Sequence, residues 1–420
     1  MHLCIFEDQS VKHLLPLTHL QPVFELRCGC SSLREKIISC VPSRKISLIT
    51  RHYLTEYTRE CFPSYQINSL PDDDVWFVNG RVLADESLTK IIKKHDGSER
   101  VFLNGDEIVA AFIPKRKRSL TKRLKITDYG LEIGAFSFLK KKQVETKLIH
   151  YPWELVQNNA LEIEKDFQQI KLLSRKQISG KIYNGAHLLN RKNLIIGSGS
   201  IIKPGVVLDA EHGPIIIEKN VLVMPNVVIE GPAYIGASSQ IKVGAKIYPG
   251  TSIGRECRIG GEVTRSIFQS YSNKAHDGFV GDSYIGSWVN LGADTNTSNL
   301  KNTYGNVNVF INGKEIDSGS QFVGLTMGDH SKSGINVMFN TGSVVGTSCN
   351  IFGADFPQKY LPSFSWGSDG AFTTFDIEKS IEIARRMMSR RGVTMSSAYE
   401  SMMRHVFHQT KQERKQWLKK

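Results

Sequence analysis

The chain has 420 residues, 40% hydrophobic and 23% charged, which is ordinary for a folded protein of two or three domains. No apolar run approaches the roughly 20 residues needed to span a bilayer, and the acidic start, with Glu7 and Asp8, is unlike a signal peptide. The net charge of +13 lies largely in short basic runs without a nucleic-acid-binding motif, so we expect a cytoplasmic protein that binds neither nucleic acid nor membranes. A solvated surface explains these runs, and anionic ligands are the alternative.

Residues 1–170 alternate predicted strands with predicted helices, which is the pattern of an α/β domain. The predicted strands are Leu3–Phe6, Val75–Val78 and Ile108–Ile113, and the predicted helices are 32–39 and 86–94. A further helix, Glu154–Phe167, is expected to connect this domain to the middle of the chain.

The stretch Leu15–Gly29, with its P-L-T run and a second proline, resembles the opening of sugar-1-phosphate nucleotidyltransferases. In that family a glycine-rich loop after the first strand holds nucleotide phosphates with backbone N–H groups. Here Glu7–His13 replaces that loop, and Val23 replaces the lysine expected after the second proline. Asn79-Gly80 stands where a Gly-Asp pair would hold magnesium.

The N-terminal domain allows two interpretations. In the first, Lys12, Arg27, Arg34 and Arg81 supply the missing phosphate contacts, and Asp72–Asp74 or Asp106 binds Mg²⁺. In the second, the domain keeps the nucleotidyltransferase-like fold with weakened or lost chemistry.

A hexapeptide repeat organises the middle of the chain. An aliphatic residue returns at every sixth position, at Ile217, Val223, Ile229, Ile235, Ile241, Ile247, Ile253 and Ile259. A compact residue follows each of them by four places, ending at Val263. This period excludes a helix or a hairpin and predicts a parallel β-helix of triangular coils over 191–366, after a linker at 171–190. Breaks are predicted at 264–274 and 297–319, where a solenoid carries its site.

The segment Asn273–Asn299 resembles the active-site stretch of the acetyltransferase half of GlmU-type enzymes, where a histidine precedes G-D, V-N-I-G-A-G-T and an asparagine. The resemblance implies a left-handed β-helix. It assigns His276 as catalytic base, Asn290, Asn299, Glu262, Arg265 and Asp282 as substrate contacts, and Ala293 as the acetyl-CoA contact. Thr264, Phe279 and Asp294 replace the lysine, tyrosine and glycine of that pattern, which leaves the sugar open.

The chemistry agrees with this assignment, because an imidazole titrates near neutral pH and suits proton removal from an amine. The implied function is acetyl transfer from acetyl-CoA in amino-sugar nucleotide biosynthesis, with nucleotidyl transfer from UTP or dTTP to a sugar-1-phosphate and Mg²⁺ at the N-terminal domain. Transfer of another acyl group is a variant. The alternative from another class is a β-helix scaffold or binding protein with a degenerate nucleotidyltransferase domain. A zinc-dependent hydratase would need three histidine ligands, two of them close in sequence, and the sequence around His276 lacks that spacing. Flat hexapeptide faces predict a homotrimer.

Residues 367–420 contain two predicted amphipathic helices, one with Ile377, Ile381, Ala384 and Met388 on one face. We expect these helices to cover the open end of the β-helix, whose last coil is otherwise an unpaired edge.

Overall fold

The computed structural model describes residues 1–173, 177–353, 355–368 and 371–418. An α/β domain is followed by a parallel β-helix and by C-terminal helices, which confirms this predicted architecture. Within these described residues no helix is long and apolar enough to cross a bilayer.

The N-terminal domain is built on a seven-stranded sheet in the order β7-β5-β6-β4-β1-β2-β3. The strands are β1 (His2–Phe6), β2 (Lys45–Ile49), β3 (Gln66–Ile67), β4 (Val75–Asn79), β5 (Arg100–Asn104), β6 (Glu107–Ile113) and β7 (Lys140–Gln143). Only β6 runs antiparallel to its neighbours. The central strands β1 and β4 are buried throughout, which explains their unbroken apolar sequences.

Short helices flank this sheet, and a capping box of Ser32 and Glu35 begins the first of them. The helices of the domain are α1 (Leu33–Cys40), α2 (Thr55–Cys61), α3 (Glu86–Lys93) and α4 (Arg118–Thr121). Minor strands are Arg27–Cys28, Ser31–Ser32, Ile126–Thr127 and Gly130–Leu131, and 3₁₀ turns are Gln9–Leu14, Val23–Glu25, His52–Leu54, Lys115–Lys117 and Ile133–Phe136.

Helix α5 (Pro152–Leu173) lies between the α/β domain and the β-helix and contacts both. The Asn159 amide nitrogen donates to the Gly250 carbonyl at 2.8 Å, while its oxygen accepts from the Gly29 N–H at 2.7 Å. Gly29 has φ +77°, and a Cβ there would lie 2.5 Å from the Asp166 carboxylate. Only glycine fits this approach, so the loop, α5 and the β-helix are locked together.

The β-helix has three parallel faces, which we number in the order in which the chain visits them. Face I holds Lys181–Ile182, Ile201–Ile202, Leu222–Val223, Gln240–Ile241, Arg258–Ile259, Asn273–Lys274, Lys332–Ser333, Asn350–Ile351 and Ser365–Gly367. Face II holds His187–Leu189, Val207–Asp209, Val228–Glu230, Lys246–Ile247, Glu262–Thr264, Phe279–Gly281, Asn296–Thr297 and Met338–Phe339. Face III holds Leu194–Ile196, Ile215–Ile217, Ala233–Ile235, Thr251–Ile253, Ile267–Phe268, Tyr284–Ile285, Thr326–Met327, Val344–Val345 and Tyr360–Leu361.

The predicted aliphatic ladder points into the prism, and each of its members is at most 1% exposed. The predicted break at 264–274 is wrong, because the coil continues through Ile267–Phe268 and Asn273–Lys274 without a loop. The coil is shorter there, since Ile259 pairs with Lys274 only 15 residues later. The shorter coil also moves Val263 from a corner into the ladder opposite Ile247.

The second predicted break is real, and it contains a hairpin of Asn308–Ile311 and Lys314–Asp317. This hairpin packs Val309 and Ile311 against Trp153 at the start of α5. The β-helix also begins earlier than expected, because its first strand, Lys181–Ile182, lies inside the predicted linker at 171–190.

Helices α6 (Ile377–Ser389), α7 (Ser397–Gln409) and α8 (Lys411–Trp417) complete the described chain. Helix α8 lies at the open end of the β-helix, where Leu418 packs against the prism core, and Phe407 of α7 packs edge-on against Phe364 of the last coil. Helix α7 also contacts the N-terminal domain, with the His405 ring stacked 4.3 Å from that of Tyr53. The N-terminal loop reaches the same end, where His19 lies 3.2 Å from the Thr347 hydroxyl. The tail is therefore a brace between domains as well as an end cap.

A buried carboxylate lies where α7 meets the edge between faces III and I. Asp329 is 4% exposed, accepts the Ser287 N–H at 2.7 Å, and has no cation at ion-pair distance among the described residues. Burial raises the pKa of Asp329 to about 7, against the opposing effect of the Ser287 N–H.

The pKa of Asp329 is higher in the folded protein than in the unfolded chain. The free energy of unfolding should therefore fall as pH rises from about 4 to about 7, by at most about 4 kcal/mol. Asp329→Asn keeps the acceptor for Ser287 and removes the charge. We expect it to raise the urea midpoint at pH 8 and to leave it nearly unchanged at pH 4. Asp128→Asn, at an exposed carboxylate, is the control. An equal shift at both pH values would contradict the assignment.

Candidate functional site

The turn after β1 is filled by a buried carboxylate in place of a phosphate-binding loop. Glu7 is 0% exposed and accepts the Arg51 N–H at 2.9 Å and the Thr50 hydroxyl at 2.6 Å. The Arg51 guanidinium pairs with the same carboxylate at 3.1 Å. The backbone N–H of Val23 also donates to Glu7 at 2.7 Å. This space is therefore occupied by the protein itself.

Arg81 lies at the centre of a second buried network at the same edge of the sheet. Its guanidinium is 3.0 Å from the Asp8 carboxylate and 2.9 Å from that of Glu107. Glu107 also pairs with His150, and this contact lowers the pKa of Glu107 to about 2 and raises that of His150 to about 9. Because Arg81 is 1% exposed and doubly paired, its donors are already used.

The other two arginines predicted as nucleotide contacts differ from each other. Arg34 pairs with Glu25 at 2.5 Å and lies over the Phe62 ring at 4.5 Å. Arg27 lies over Tyr234 of the β-helix at 5.2 Å, and its buried Nε has no hydrogen-bond partner. Arg27 is thus the only one of the three that faces away from its own domain with an unused donor.

The acidic residues suggested for Mg²⁺ lie at opposite ends of the sheet's strands. Asp72–Asp74 precede β4, so they lie at its amino end, away from the turn after β1. Asp73 pairs with Lys45 there, and Asp74 accepts the Lys115 N–H. Asp106 is exposed and lies next to the start of β6 at the carboxyl edge. Only Asp106 therefore lies on the side that the resemblance requires, and the described residues contain no cluster of three metal-ligand side chains.

His276 lies at the edge between faces I and II, in the turn that joins Asn273–Lys274 to Phe279–Gly281. Its side chain is exposed and borders a pocket of about 530 Å³ that also includes Lys242, Val243 and Ala293. No other described residue hydrogen-bonds its imidazole. The ring is therefore free to act on a molecule in this pocket.

Lys274 holds that turn from inside the prism. It occupies the ladder position after Ile259, and its ammonium donates to the carbonyls of His276 at 2.6 Å and Asp277 at 2.7 Å. Burial lowers the pKa of Lys274 to about 8, although Asp277 and Asp294 act in the opposite direction. Sequence reasoning missed Lys274, because the coil of 15 residues places it outside the six-residue period. A search that allowed shorter coils would have found a lysine at a ladder position that requires an apolar residue.

Three predicted substrate contacts lie together at the other edge of face II. Arg265 pairs with Asp282 through two hydrogen bonds of 2.7 and 3.0 Å, and the Asn299 amide donates to the same carboxylate at 2.6 Å. The Arg265 guanidinium also lies 4.8 Å from the Phe322 ring centre. Asp282, which is 7% exposed, holds the other two side chains in place.

The predicted site therefore divides between two edges. Glu262 begins the face II strand beside the His276 pocket, where it lies 3.9 Å from Lys246. Asn290 lies on face I, between Asn273 and Lys332. His276 and Asp282 are six residues apart across face II, a span of at most about 20 Å in an extended chain. A single chain does not bring the Arg265 group to His276.

Comparison with known proteins is consistent with a two-part chain. Residues 3–174 match the model of a family described as sugar nucleotidyl transferase. A bifunctional sugar-1-phosphate nucleotidylyltransferase/acetyltransferase of Sulfurisphaera tokodaii is 36% identical over 150 residues, which cover 32% of this chain and 37% of that protein. A bifunctional protein GlmU of Methanococcus maripaludis is 27% identical over 327 residues, which cover 67% of this chain and 71% of that protein.

The chain thus spans little more than a third of the Sulfurisphaera relative and less than three quarters of the Methanococcus one. Among solved structures, a UDP-N-acetylglucosamine acyltransferase from Campylobacter jejuni shares 12% identity at a TM-score of 0.28, over 54% of this chain and 93% of its own. A likeness of that size carries no argument about function.

Proposed function

We propose that this chain, whose residues 3–174 match the sugar nucleotidyl transferase family model, is a transferase of amino-sugar nucleotide biosynthesis that acetylates an amino-sugar phosphate at His276. The observation that carries the proposal is an exposed imidazole over a pocket, in a turn fixed by a buried lysine. The Sulfurisphaera relative, whose name includes an acetyltransferase, supports it.

The pocket has the groups that acetyl-CoA requires. Lys242 has no carboxylate at ion-pair distance among the described residues, so its ammonium can meet a phosphate, while Val243 and Met224 offer apolar surface to the acyl arm. Bound acetyl-CoA would supply a thioester. His276 would accept the proton that the substrate amine loses as it attacks that carbonyl, and backbone N–H groups of the edge would stabilise the oxyanion. The products are an amide and the thiol of CoA. Transfer of a different acyl group obeys the same chemistry.

A homotrimer would complete this site. Exposed apolar residues lie along the His276 edge, where Val243 is 63%, Ile335 69% and Phe352 42% exposed. A closed threefold arrangement would bury them and place the Arg265 group of one copy near His276 of another. Light scattering at micromolar concentration tests this, and a monomer would contradict it.

Nucleotidyl transfer is the second candidate activity, because residues 3–174 match the family model. Since Arg81 and Arg34 are paired internally, the nucleotide phosphates must find other donors. Asp106 is then the nearest candidate for Mg²⁺, and UTP or dTTP is the expected nucleotide. We place both activities in the cytoplasm, where these substrates occur.

The test is a two-part assay with sugar-1-phosphates. CoA thiol release is measured with acetyl-CoA and glucosamine-1-phosphate, and pyrophosphate release is measured with UTP or dTTP and Mg²⁺. Thiol release alone would establish the acetyltransferase and mark the N-terminal domain as degenerate. If neither product appears, the chain is the scaffold of the alternative interpretation.

A further inference from the structure

A cleft of about 1550 Å³ lies between the N-terminal domain, α5, face III and the C-terminal helices. It is far from the His276 pocket, because that pocket opens at the edge between faces I and II. Its lining includes Arg27 and Arg34 from the N-terminal domain, Tyr234 and Arg255 from the β-helix, and Met388 from α6.

The carboxylates of the cleft are matched by groups of the protein. Glu25 pairs with Arg34, and Glu162 and Asp166 share Lys36 at 2.9 and 2.6 Å. Glu86 lies 3.5 Å from Lys90, and Glu35 lies 3.9 Å from Arg34. Three carboxylates of the cleft also accept hydrogen bonds from neutral donors. These are Glu218 from Tyr234 and the Ala237 N–H, Glu35 from the Ser32 N–H, and Asp85 from the Ser87 N–H. The acceptors of the cleft are therefore satisfied without a ligand.

Arg27 is a cation of the cleft that has no carboxylate partner among the described residues. Its backbone is fixed by Tyr284, whose hydroxyl accepts the Arg27 N–H at 2.8 Å. Its guanidinium donates to the Cys30 carbonyl, and no carboxylate of the described residues lies within ion-pair distance. The buried Nε remains unpaired. An unpaired buried N–H costs about 1–3 kcal/mol, so this donor calls for an acceptor that the chain does not supply.

Arg255 is the second unmatched cation of the cleft. It is exposed at the edge between faces III and I, lies 5.3 Å from the Tyr271 ring centre, and has no carboxylate partner in the described chain. Tyr234 pairs with Ser252, and Arg255 follows Ser252 by three residues. The backbone of Arg255 thus lies about 10 Å along face III from the point opposite Tyr234, whose ring the Arg27 guanidinium covers. Two phosphoryl oxygens of one small molecule can bridge such a span.

We propose that this cleft is a binding site for a phosphorylated small molecule, held by Arg27 from one domain and Arg255 from the other. A guanidinium is the side chain best suited to phosphoryl oxygens, and the cleft offers two of them with all its carboxylates already engaged. A ligand here contacts both domains, so its binding would stabilise their contact. The inference does not depend on the acetyltransferase.

The experiment is calorimetric titration of the full chain with pyrophosphate, in phosphate-free buffer without Mg²⁺. Arg27→Met and Arg255→Met should each weaken binding by about tenfold to a hundredfold, the effect of losing a charged hydrogen bond. Arg123→Met, at a surface arginine 5.5 Å from the Phe138 ring centre, is the matched control and should bind as the wild type does. Arg27→Lys, which keeps the charge, should lose less than Arg27→Met.

Arg255 distinguishes this cleft from a nucleotidyl site, because it belongs to the β-helix. Binding that Arg27→Met and Arg255→Met leave unchanged would overturn the proposal, and so would the absence of binding at millimolar pyrophosphate. Binding lost only in Arg27→Met would also overturn it, because it would place the phosphate within the N-terminal domain. Parallel titrations with inorganic phosphate, glucose-1-phosphate and UMP identify the source of the phosphoryl group. His276→Ala should bind normally, so failure of the proposed acetyltransferase leaves this result readable.

Discussion

His276→Ala should lower the rate of acetyl transfer by about 10²–10⁴-fold, the usual contribution of a positioned general base. The imidazole is exposed in its pocket, and the backbone of its turn is fixed by the Lys274 ammonium at 2.6 Å. Removing the ring therefore removes the proton acceptor and leaves the turn in place. The measurement is CoA thiol release at saturating acetyl-CoA.

His212→Ala is the matched control for this variant. His212 is another exposed histidine of the β-helix, outside the pocket, and its loss should leave the rate unchanged. Nucleotidyl transfer, where present, should be the same in both variants, because His276 lies outside the N-terminal domain. Equal acetyl-transfer rates for wild type and His276→Ala would remove the residue from the mechanism.

Lys36→Met should destabilise the protein by about 3–5 kcal/mol, because it leaves the buried Asp166 carboxylate without a cation and leaves Glu162 with Lys165 as its one remaining cation among the described residues. The Lys36 ammonium is 2.9 Å from one carboxylate and 2.6 Å from the other, and its side chain is 5% exposed. Asp166 also accepts the Cys30 N–H at 2.7 Å, so the damage should reach the loop that meets α5. The measurement is the urea midpoint followed by tryptophan fluorescence at pH 7.

Lys45→Met is the control, since Lys45 makes the same kind of pair with Asp73 at 3.0 Å but is 65% exposed. Surface pairs contribute about 0–1 kcal/mol, so its midpoint should barely move. Similar midpoints for Lys36→Met and Lys45→Met would show that burial does not decide the strength of this contact.

The repeat was predictable because every member of the ladder meets the same requirement, an apolar side chain inside the prism. Lys274 breaks that requirement and still points inward, because the carbonyls of the His276 turn satisfy its ammonium. A period search therefore reports a loop where the coil merely loses three residues. The structure, and not the sequence, shows that the coil is continuous there.

The candidate site was predictable in part. The choice of His276 as a site residue followed from the resemblance, but the division between two edges did not, because a linear motif carries no information about corners. The N-terminal networks were also hidden. Glu7 and Arg51, or Asp8 and Arg81, are far apart in sequence, and nothing local marks them as buried partners.

The brace formed by the C-terminal helices has a consequence for synthesis on the ribosome. His19 meets Thr347 and Ser363, which are 328 and 344 residues later, and Tyr53 meets His405. At about 5–20 residues per second, roughly 15 to 70 s pass between translation of the first member of the His19–Thr347 pair and the second. During that time Leu20 and Leu54, which the finished protein buries beside α7, have no cover. The nascent N-terminal domain therefore exposes apolar surface until the last helices emerge.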